Sequence, residues 1–482
     1  MRDKEDLDLN PIFNPQSVAV IGASRNPLKW GFIVLGNIVL GKYKGKIYPV
    51  NPNIDNVLGL KAYPNLKSIE DEIDLAVIIT PADTVREIMK ECVKRRVKSA
   101  VVISAGFSET GEEGAKLEEE VVKIARQGGV HLVGPNTMGV FGADPNLCAL
   151  MPPVKPLRGS VSFVAQSGNL GTQLLGLGEA QGVGFSKFAC SGNEGDLHCE
   201  DYIKFFGDDP QTKVILAYIE GLDEGRKFLE IAKEVSKRKP IVILKAGRTQ
   251  AGSRAAVSHT GALSGSKEIY DAAFKQAGII RASTAEEMLD FSRGFASLPL
   301  PKGRRVGILT WGGGWGVVTA DACEEGGLKV ATLPEEVIKE LNKLLPPYWS
   351  KGNPIDLVGS LDRPSHLRCL EVLGKCEEIE GIIALGILGA SPIFTSMLSS
   401  SPDLSPIKEV KFFEKEFEKV DQEFEVKIVE LMKEYKKPII GVNMFSDQEA
   451  KEKGNIPIYP SPERAVKVMV KLFEYHNYLE NT

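Results

Sequence analysis

Long apolar runs, a strong excess of one charge and closely spaced cysteines are all missing from this sequence, and each absence removes a class of function. No apolar stretch approaches the ~20 residues that a bilayer-spanning helix needs. The charged start, Met1 to Asn10, has no apolar core of a secretory leader, so the expected compartment is the cytoplasm, with no membrane partner. A formal net charge of -5 supplies no basic field to repay binding of nucleic acid or an anionic surface. The seven cysteines (Cys92, Cys148, Cys190, Cys199, Cys323, Cys369 and Cys376) are scattered without the paired short spacing of a zinc site. No metal site and buried, inert thiols are therefore expected. Neither a G-x-G-x-x-G fingerprint nor a Walker loop ending in Gly-Lys-Ser/Thr occurs, which argues against an NAD site and against a self-contained ATP site.

What is present is the composition of a globular α/β protein, with 43% apolar and 26% charged residues and 48 glycines among 482 residues, a length that favours three domains. Short β-branched runs, each closed by a Gly/Pro/Asn/Ser turn and followed by a helix-period segment, predict parallel strands with crossover helices. The first block has strands at Ser17–Ile21, Ile47–Val50, Leu75–Thr80, Ala100–Ser104 and Val130–Val133, with helices at Asp83–Lys94 and Glu112–Gln127. After the Pro-rich stretch Pro152–Pro156, the second opens at Ser160–Ala165 and continues through Val214–Ile219 and Ile241–Leu244. The third opens at Arg305–Thr310 and runs through Gly381–Leu388 and Pro438–Val442 to a helix near Pro462–Tyr475. The predicted domains are 1–150, 158–298 and 303–476. Between 407 and 437 the residues Phe413, Phe417, Val420, Phe424, Ile428 and Leu431 form one helical stripe, expected to pack on the third block rather than to build a coiled coil.

Ligands of open parallel sheets bind at the strand C-termini. There the first block places Gly22, Ala23, Ser24, Arg25 and Asn26, a turn suited to phosphate at a helix start. The second strand ends in Asn51 and Pro52 without the acid that takes an NAD ribose, so a phosphate-bearing, nucleotide-like ligand is expected. Thr80, Pro81, Ser104, Ala105, Gly106 and Asn136 end neighbouring strands on the same edge. Two further anion sites are predicted where helices begin at Ser167, Gly168 and Asn169 and at Gly313 and Gly314. The most specific segment is Ser258-His259-Thr260-Gly261, preceded by Lys245-Ala-Gly-Arg-Thr249. Its small neighbours give the His259 imidazole room to swing and accept a phosphoryl group. Glu220, closing the strand Val214–Ile219, could hold one imidazole nitrogen and leave the other nucleophilic. His131, His198, His366 and His476 read as ordinary surface or core histidines.

The ordered series Gly22-Ala-Ser-Arg-Asn-Pro27, Gly134-Pro-Asn136, Gln166-Ser-Gly168, Tyr218-Ile-Glu-Gly221, Lys245-Ala-Gly-Arg-Thr249, Ser258-His-Thr-Gly-Ala-Leu263 and Gly352-Asn-Pro-Ile-Asp356 resembles the ADP-forming acetyl-CoA synthetases, relatives of succinyl-CoA synthetase. The resemblance covers nearly the whole chain. It implies a CoA-binding Rossmann-like domain followed by two flavodoxin-like doubly wound ligase domains, with His259 as phosphohistidine and Glu220 as its stabilising acid. Ser167–Asn169 and Gly313–Gly314 match the family's successive phosphate stations. By this likeness acyl-CoA, ADP and phosphate give acid, CoA and ATP through acyl phosphate and phosphohistidine. No segment reads as an ATP-grasp domain, so ADP/ATP and Mg2+ are assigned to a separate β subunit in an α2β2 assembly. Thr137, where many relatives have cysteine, and Trp311 and Trp315, beside the second phosphate turn, depart from the pattern. The rivals are a non-catalytic CoA-binding regulator, which would not need both Glu220 and His259, and an acyltransferase platform, which would need a further catalytic domain.

Overall fold

The computed structural model describes residues 7–252, 254, 267–388, 408–443 and 456–482. They form two compact units, one of residues 1–179 and 183–288, the other of 180–182 and 289–482.

The first unit holds two sheets. Strands β1 (Ser17–Ile21), β2 (Lys46–Val50), β3 (Leu75–Ile78), β4 (Ser99–Val102) and β5 (His131–Val133) pair in parallel in the order β2-β1-β3-β4-β5. All five residues of β1 are buried, as a strand covered by helices on both faces must be, and its Val and Ile side chains suit that setting. The order reverses between β1 and β3, which opens a crevice at their C-terminal ends.

The second sheet contains β6 (Gly139–Gly142), β7 (Leu147–Leu150), β8 (Arg158–Ala165), β9 (Phe185–Cys190), β10 (Val214–Ile219), β11 (Ile241–Lys245) and β12 (Ile280–Ala282), in the order β12-β11-β10-β8-β9-β6-β7. Strands β8 to β12 are parallel, and β6 runs antiparallel both to β9 and to its hairpin partner β7. Residues 139–150, placed by the sequence before a boundary at 150, thus extend the second sheet. One apolar core runs from Leu9 to Ile279 across both sheets, and Phe13 stacks on Phe205 with ring centres 5.6 Å apart. A Cβ on Gly142 would lie 1.9 Å from the Phe13 carbonyl oxygen, so glycine permits this close approach. The buried Asp196 carboxylate takes Arg126 at 2.6 Å and the Leu132 N–H at 3.1 Å, tying the turn after β9 to the first sheet.

The second unit is built on β13 (Arg305–Thr310), β14 (Lys329–Val330), β15 (Ile355–Asp356), β16 (Gly381–Leu385), β17 (Ile439–Val442) and β18 (Ile458–Tyr459), parallel in the order β14-β13-β16-β17-β18 with β15 on β13. The charged segment is one helix, Lys408–Tyr435, with Asp421, Phe424, Ile428 and Met432 buried at spacings of three and four. It packs on the helix Arg363–Lys375, where Arg363 pairs with Asp421. The side chains of Phe413, Phe417 and Val420 lie outside the described ones. All seven cysteines are buried and unpaired. Among the described residues no helix is long and apolar enough to cross a membrane.

Candidate functional site

The turn after β1 is fixed by backbone sterics. Gly22 has φ +94°, and a Cβ there would stand 2.3 Å from the carbonyl oxygen of Ile79, so the chain can leave the strand this way only with glycine. Asn51 Nδ2 donates to the Ala23 carbonyl at 2.7 Å, while its Oδ1 accepts the Asn53 N–H at 2.8 Å. Ser24 accepts from the Asn26 N–H at 3.0 Å, and Arg25 Nε donates to the Asn56 carbonyl at 2.8 Å. The helix Trp30–Leu40 starts immediately beyond.

At the ends of β3 and β4, the Ser104 hydroxyl donates to the Thr80 carbonyl and accepts the Thr80 N–H, locking two strand ends together. Asn136, at φ +55°, donates its N–H to the Ser104 carbonyl at 3.0 Å. Thr137 is buried with its hydroxyl spent on the Cys190 carbonyl and the Gly139 N–H, so this departure from the family pattern has a structural use.

A cavity of about 950 Å³ joins these strand ends to those of the second sheet. Of the residues predicted from sequence, Thr80, Pro81, Ser104, Ala105, Asn136, Ser167, Gly168, Asn169 and Glu220 line it together. Gly22, Ala23, Ser24, Arg25, Asn26, Asn51, Pro52 and Gly106 do not. Trp30, half exposed, and Asn193 and Glu194 line it without having been foreseen. The strand β9 was not recognised in the sequence, and with it went the turn that carries Asn193 and Glu194. The run Ser-Gly-Asn-Glu-Gly was the available signal, because such residues end strands.

Helix Gly168–Ala180 begins directly after Ser167, so its first N–H groups and positive end face the cavity. A Cβ on Gly168 would lie 2.3 Å from Met138 Cγ. Gln166 organises the opposite wall: its Oε1 accepts the N–H groups of Glu220 at 2.6 Å and Gly221 at 3.1 Å, while its Nε2 donates to the Gly221 carbonyl at 2.9 Å. Beneath them Lys245 is buried, donating to the carbonyls of Glu220 and Ala246 at 2.8 and 2.7 Å and lying 4.6 Å from the Tyr270 ring centre. Burial pushes its ammonium down to about 8 against the pull of Glu220. Burial and the Glu220 carboxylate together raise the Tyr218 phenol above its ordinary range. His259 lies outside the described residues.

In the second unit Gly312 precedes the helix Gly313–Glu325. A Cβ on Gly314 would meet nothing within 4 Å, leaving this helix start open, whereas one on Gly313 would lie 2.9 Å from Asp356 Oδ2. Trp311 is anchored by its indole N–H on the Ser360 carbonyl at 2.8 Å, and Trp315 is 44% exposed. Among the described residues no cluster of His, Cys, Asp and Glu could hold a metal ion.

Family models match three stretches, a CoA binding domain over residues 16–143, a succinyl-CoA ligase like flavodoxin domain over 158–295 and a ligase-CoA domain over 306–387. The α subunit of acetate–CoA ligase (ADP-forming) II of Pyrococcus furiosus is 41% identical over 94% of this chain and 95% of its own length. Acetate–CoA ligase (ADP-forming) of Methanocaldococcus jannaschii is 37% identical over 99% of this chain, which spans 66% of that longer protein. The solved acetyl-coenzyme A synthetase 1 of Ca. Korarchaeum cryptofilum, in complex with phosphate and ADP, superposes with a TM-score of 0.85 at 36% identity, covering 98% of each chain. By sequence over its whole length and by fold, this chain belongs to the ADP-forming acetate–CoA ligases, in the part that Pyrococcus furiosus carries as an α subunit.

Proposed function

We propose that this chain is the α subunit of an ADP-forming acyl-CoA synthetase, converting acyl-CoA and phosphate to acyl phosphate and CoA and passing the phosphoryl group to His259. The observation that carries the reading is the single cavity in which Thr80, Ser104 and Asn136 meet the helix start Ser167–Asn169 and Glu220. Its volume suits a large small-molecule ligand. CoA is a phosphate-bearing thiol, and the strand-end hydroxyls, Asn136 and the Gly22–Asn26 turn are the groups that would hold it. In this reading the strands β1 to β5 supply the CoA-binding domain, residues 158–298 with the hairpin Gly139–Leu150 the ligase domain with the histidine loop, and 303–476 the second ligase domain.

Phosphate attacks the acyl carbon while the N–H groups at Ser167, Gly168 and Asn169 hold its oxygens, the use to which an anion-binding helix start is suited. The Glu220 carboxylate hydrogen-bonds one nitrogen of His259, which leaves the other as the nucleophile toward the acyl phosphate. Gln166 and Lys245 fix the backbone of Glu220, so that its side chain starts from a rigid strand end. Delivery of the phosphoryl group elsewhere requires the segment that carries His259 to move, which Gly261 and Gly265 beside it in the sequence would permit. Gly313 and Gly314 form its second station. The nucleotide and Mg2+ are assigned to an ATP-grasp β subunit in an α2β2 assembly in the cytoplasm, a reading supported by the Pyrococcus furiosus relatives, which are α subunits.

The test is to incubate the chain with acyl-CoA and radiolabelled phosphate and to map the acid-labile label. Label on His259, lost in His259→Ala, is the expected result, and label persisting in that variant refutes the assignment. The isolated chain should make no ATP until the β subunit is added.

A further inference from the structure

Besides Glu220 the wall of the cavity carries Glu109, Glu194 and Asp223, and the steps above have no use for Glu194. Glu194 stands in the turn after β9 at φ +57°, a conformation that side-chain-bearing residues seldom adopt. The turn is pinned to the first sheet by N–H groups of Asn193 and Gly195 on the carbonyls of Pro135 and Gly134, at 2.9 and 3.1 Å. A Cβ on Gly192 would lie 2.3 Å from the Pro135 carbonyl oxygen, so the turn cannot relax without losing that close approach. A rigid segment therefore sets Glu194 in the wall of the cavity, with its side chain 11% exposed.

Its Oε2 accepts the Gln166 amide at 3.1 Å. Its Oε1 is buried and has no hydrogen-bond partner among the described residues. Gln166 is the same side chain that holds the backbone of Glu220 and Gly221, so one amide ties the Glu194 carboxyl to the strand end that carries Glu220. The titratable groups around Glu194 are Cys190, His198, Cys199, Glu200, Tyr202 and Asp223, with His198 Nδ1 3.8 Å from Oε2. No lysine or arginine among the described residues pairs with it. Burial, aided by Glu200 and Asp223 and opposed by Ser191 and Gln166, pushes the carboxyl up to about 8. Burial thus favours the protonated form of Glu194, a form that can sit beside anionic phosphate and give up a proton.

We propose that Glu194 is the acid–base residue of the thioester step: it gives its proton to the sulfur of the departing CoA as hydrogen phosphate attacks the acyl carbon, and then takes up the proton that phosphate releases. The C–O bond to phosphate forms, the C–S bond breaks, and the proton of hydrogen phosphate ends on the CoA sulfur by way of Glu194, with no other reactant needed. The reverse reaction uses the same two transfers in the opposite order. This inference rests on the cavity being the acyl-CoA and phosphate site.

The experiment compares two routes to phosphohistidine in the full chain: acyl-CoA with labelled phosphate, which breaks the thioester, and labelled acetyl phosphate, which bypasses it. Glu194→Gln keeps the shape and the bond to Gln166 but cannot transfer the proton. It should slow the acyl-CoA route by about 10²-fold or more while leaving the acetyl phosphate route within about threefold of the parent, the usual scale of a lost acid–base group. Glu194→Asp should recover part of the loss. In the parent the acyl-CoA route should fall as pH rises through about 8, the carboxyl's own titration, and this fall should be absent from Glu194→Gln. Equal loss on both routes would make Glu194 merely structural, and no loss on the acyl-CoA route would remove it from the mechanism; either overturns the inference. If the parent itself takes label from neither donor, the phosphohistidine reading fails and this inference falls with it.

Discussion

An acid that remains protonated in the fold must leave a mark on stability, and Glu194 allows its size to be worked out. Its carboxyl titrates at about 8 in the folded chain against an ordinary 4.5. Below 4.5 the group is protonated whether the chain is folded or not, and the fold bears no penalty. As pH rises from there, the unfolded chain ionises while the folded chain holds its proton, so stability falls until the folded group also titrates near 8. Above that the full difference applies, roughly 3–5 kcal/mol. Glu194→Gln removes the titration, so variant and parent should differ most at alkaline pH, with the variant more stable. Urea unfolding of both proteins at about pH 5 and about pH 9 measures this, since the difference between their midpoints should widen with pH. A constant difference at the two pH values would refute the claim that this carboxyl is protonated in the fold.

Two other substitutions test the frame around the cavity. Gly22→Ala must place a Cβ 2.3 Å from the Ile79 carbonyl at φ +94°; strain of roughly 1–3 kcal/mol should appear as a lower unfolding midpoint, with weaker CoA binding by calorimetry, and unchanged values would show that the turn does not depend on glycine. Gln166→Met keeps the length of the side chain but deletes its bonds to Glu220, Gly221 and Glu194. At about 1 kcal/mol per hydrogen bond, partly recovered by water in the cavity, the loss should be about 2–4 kcal/mol in urea unfolding, and phosphohistidine formation should slow; full retention of both would refute the role of Gln166 as organiser.

The sequence by itself determined the strands whose two faces are both buried, because such strands read as unbroken β-branched runs: Ser17–Ile21, Val214–Ile219 and Arg305–Thr310 stand in the structure with the bounds expected of them. It also placed Thr80, Ser104, Asn136, Ser167 and Glu220 at strand ends and helix starts, since parallel topology puts ligand groups there. It missed β9, whose run Phe-Ser-Lys-Phe-Ala-Cys mixes polar residues into a buried strand: Lys187 is satisfied by Asp209 and Gln211, which follow the end of the helix Cys199–Asp208. The pairing of Gly139–Leu150 with the second sheet was likewise invisible, because an antiparallel hairpin carries no mark of which edge it will join. Only the tertiary structure decided that Gln166, Glu194 and Glu220 share one wall, since a side-chain amide spanning 28 and 54 residues is a product of packing and leaves no local pattern to read. The titration of Glu194 was decided there too, because the raised carboxyl comes from burial, which belongs to the folded chain and not to the residue.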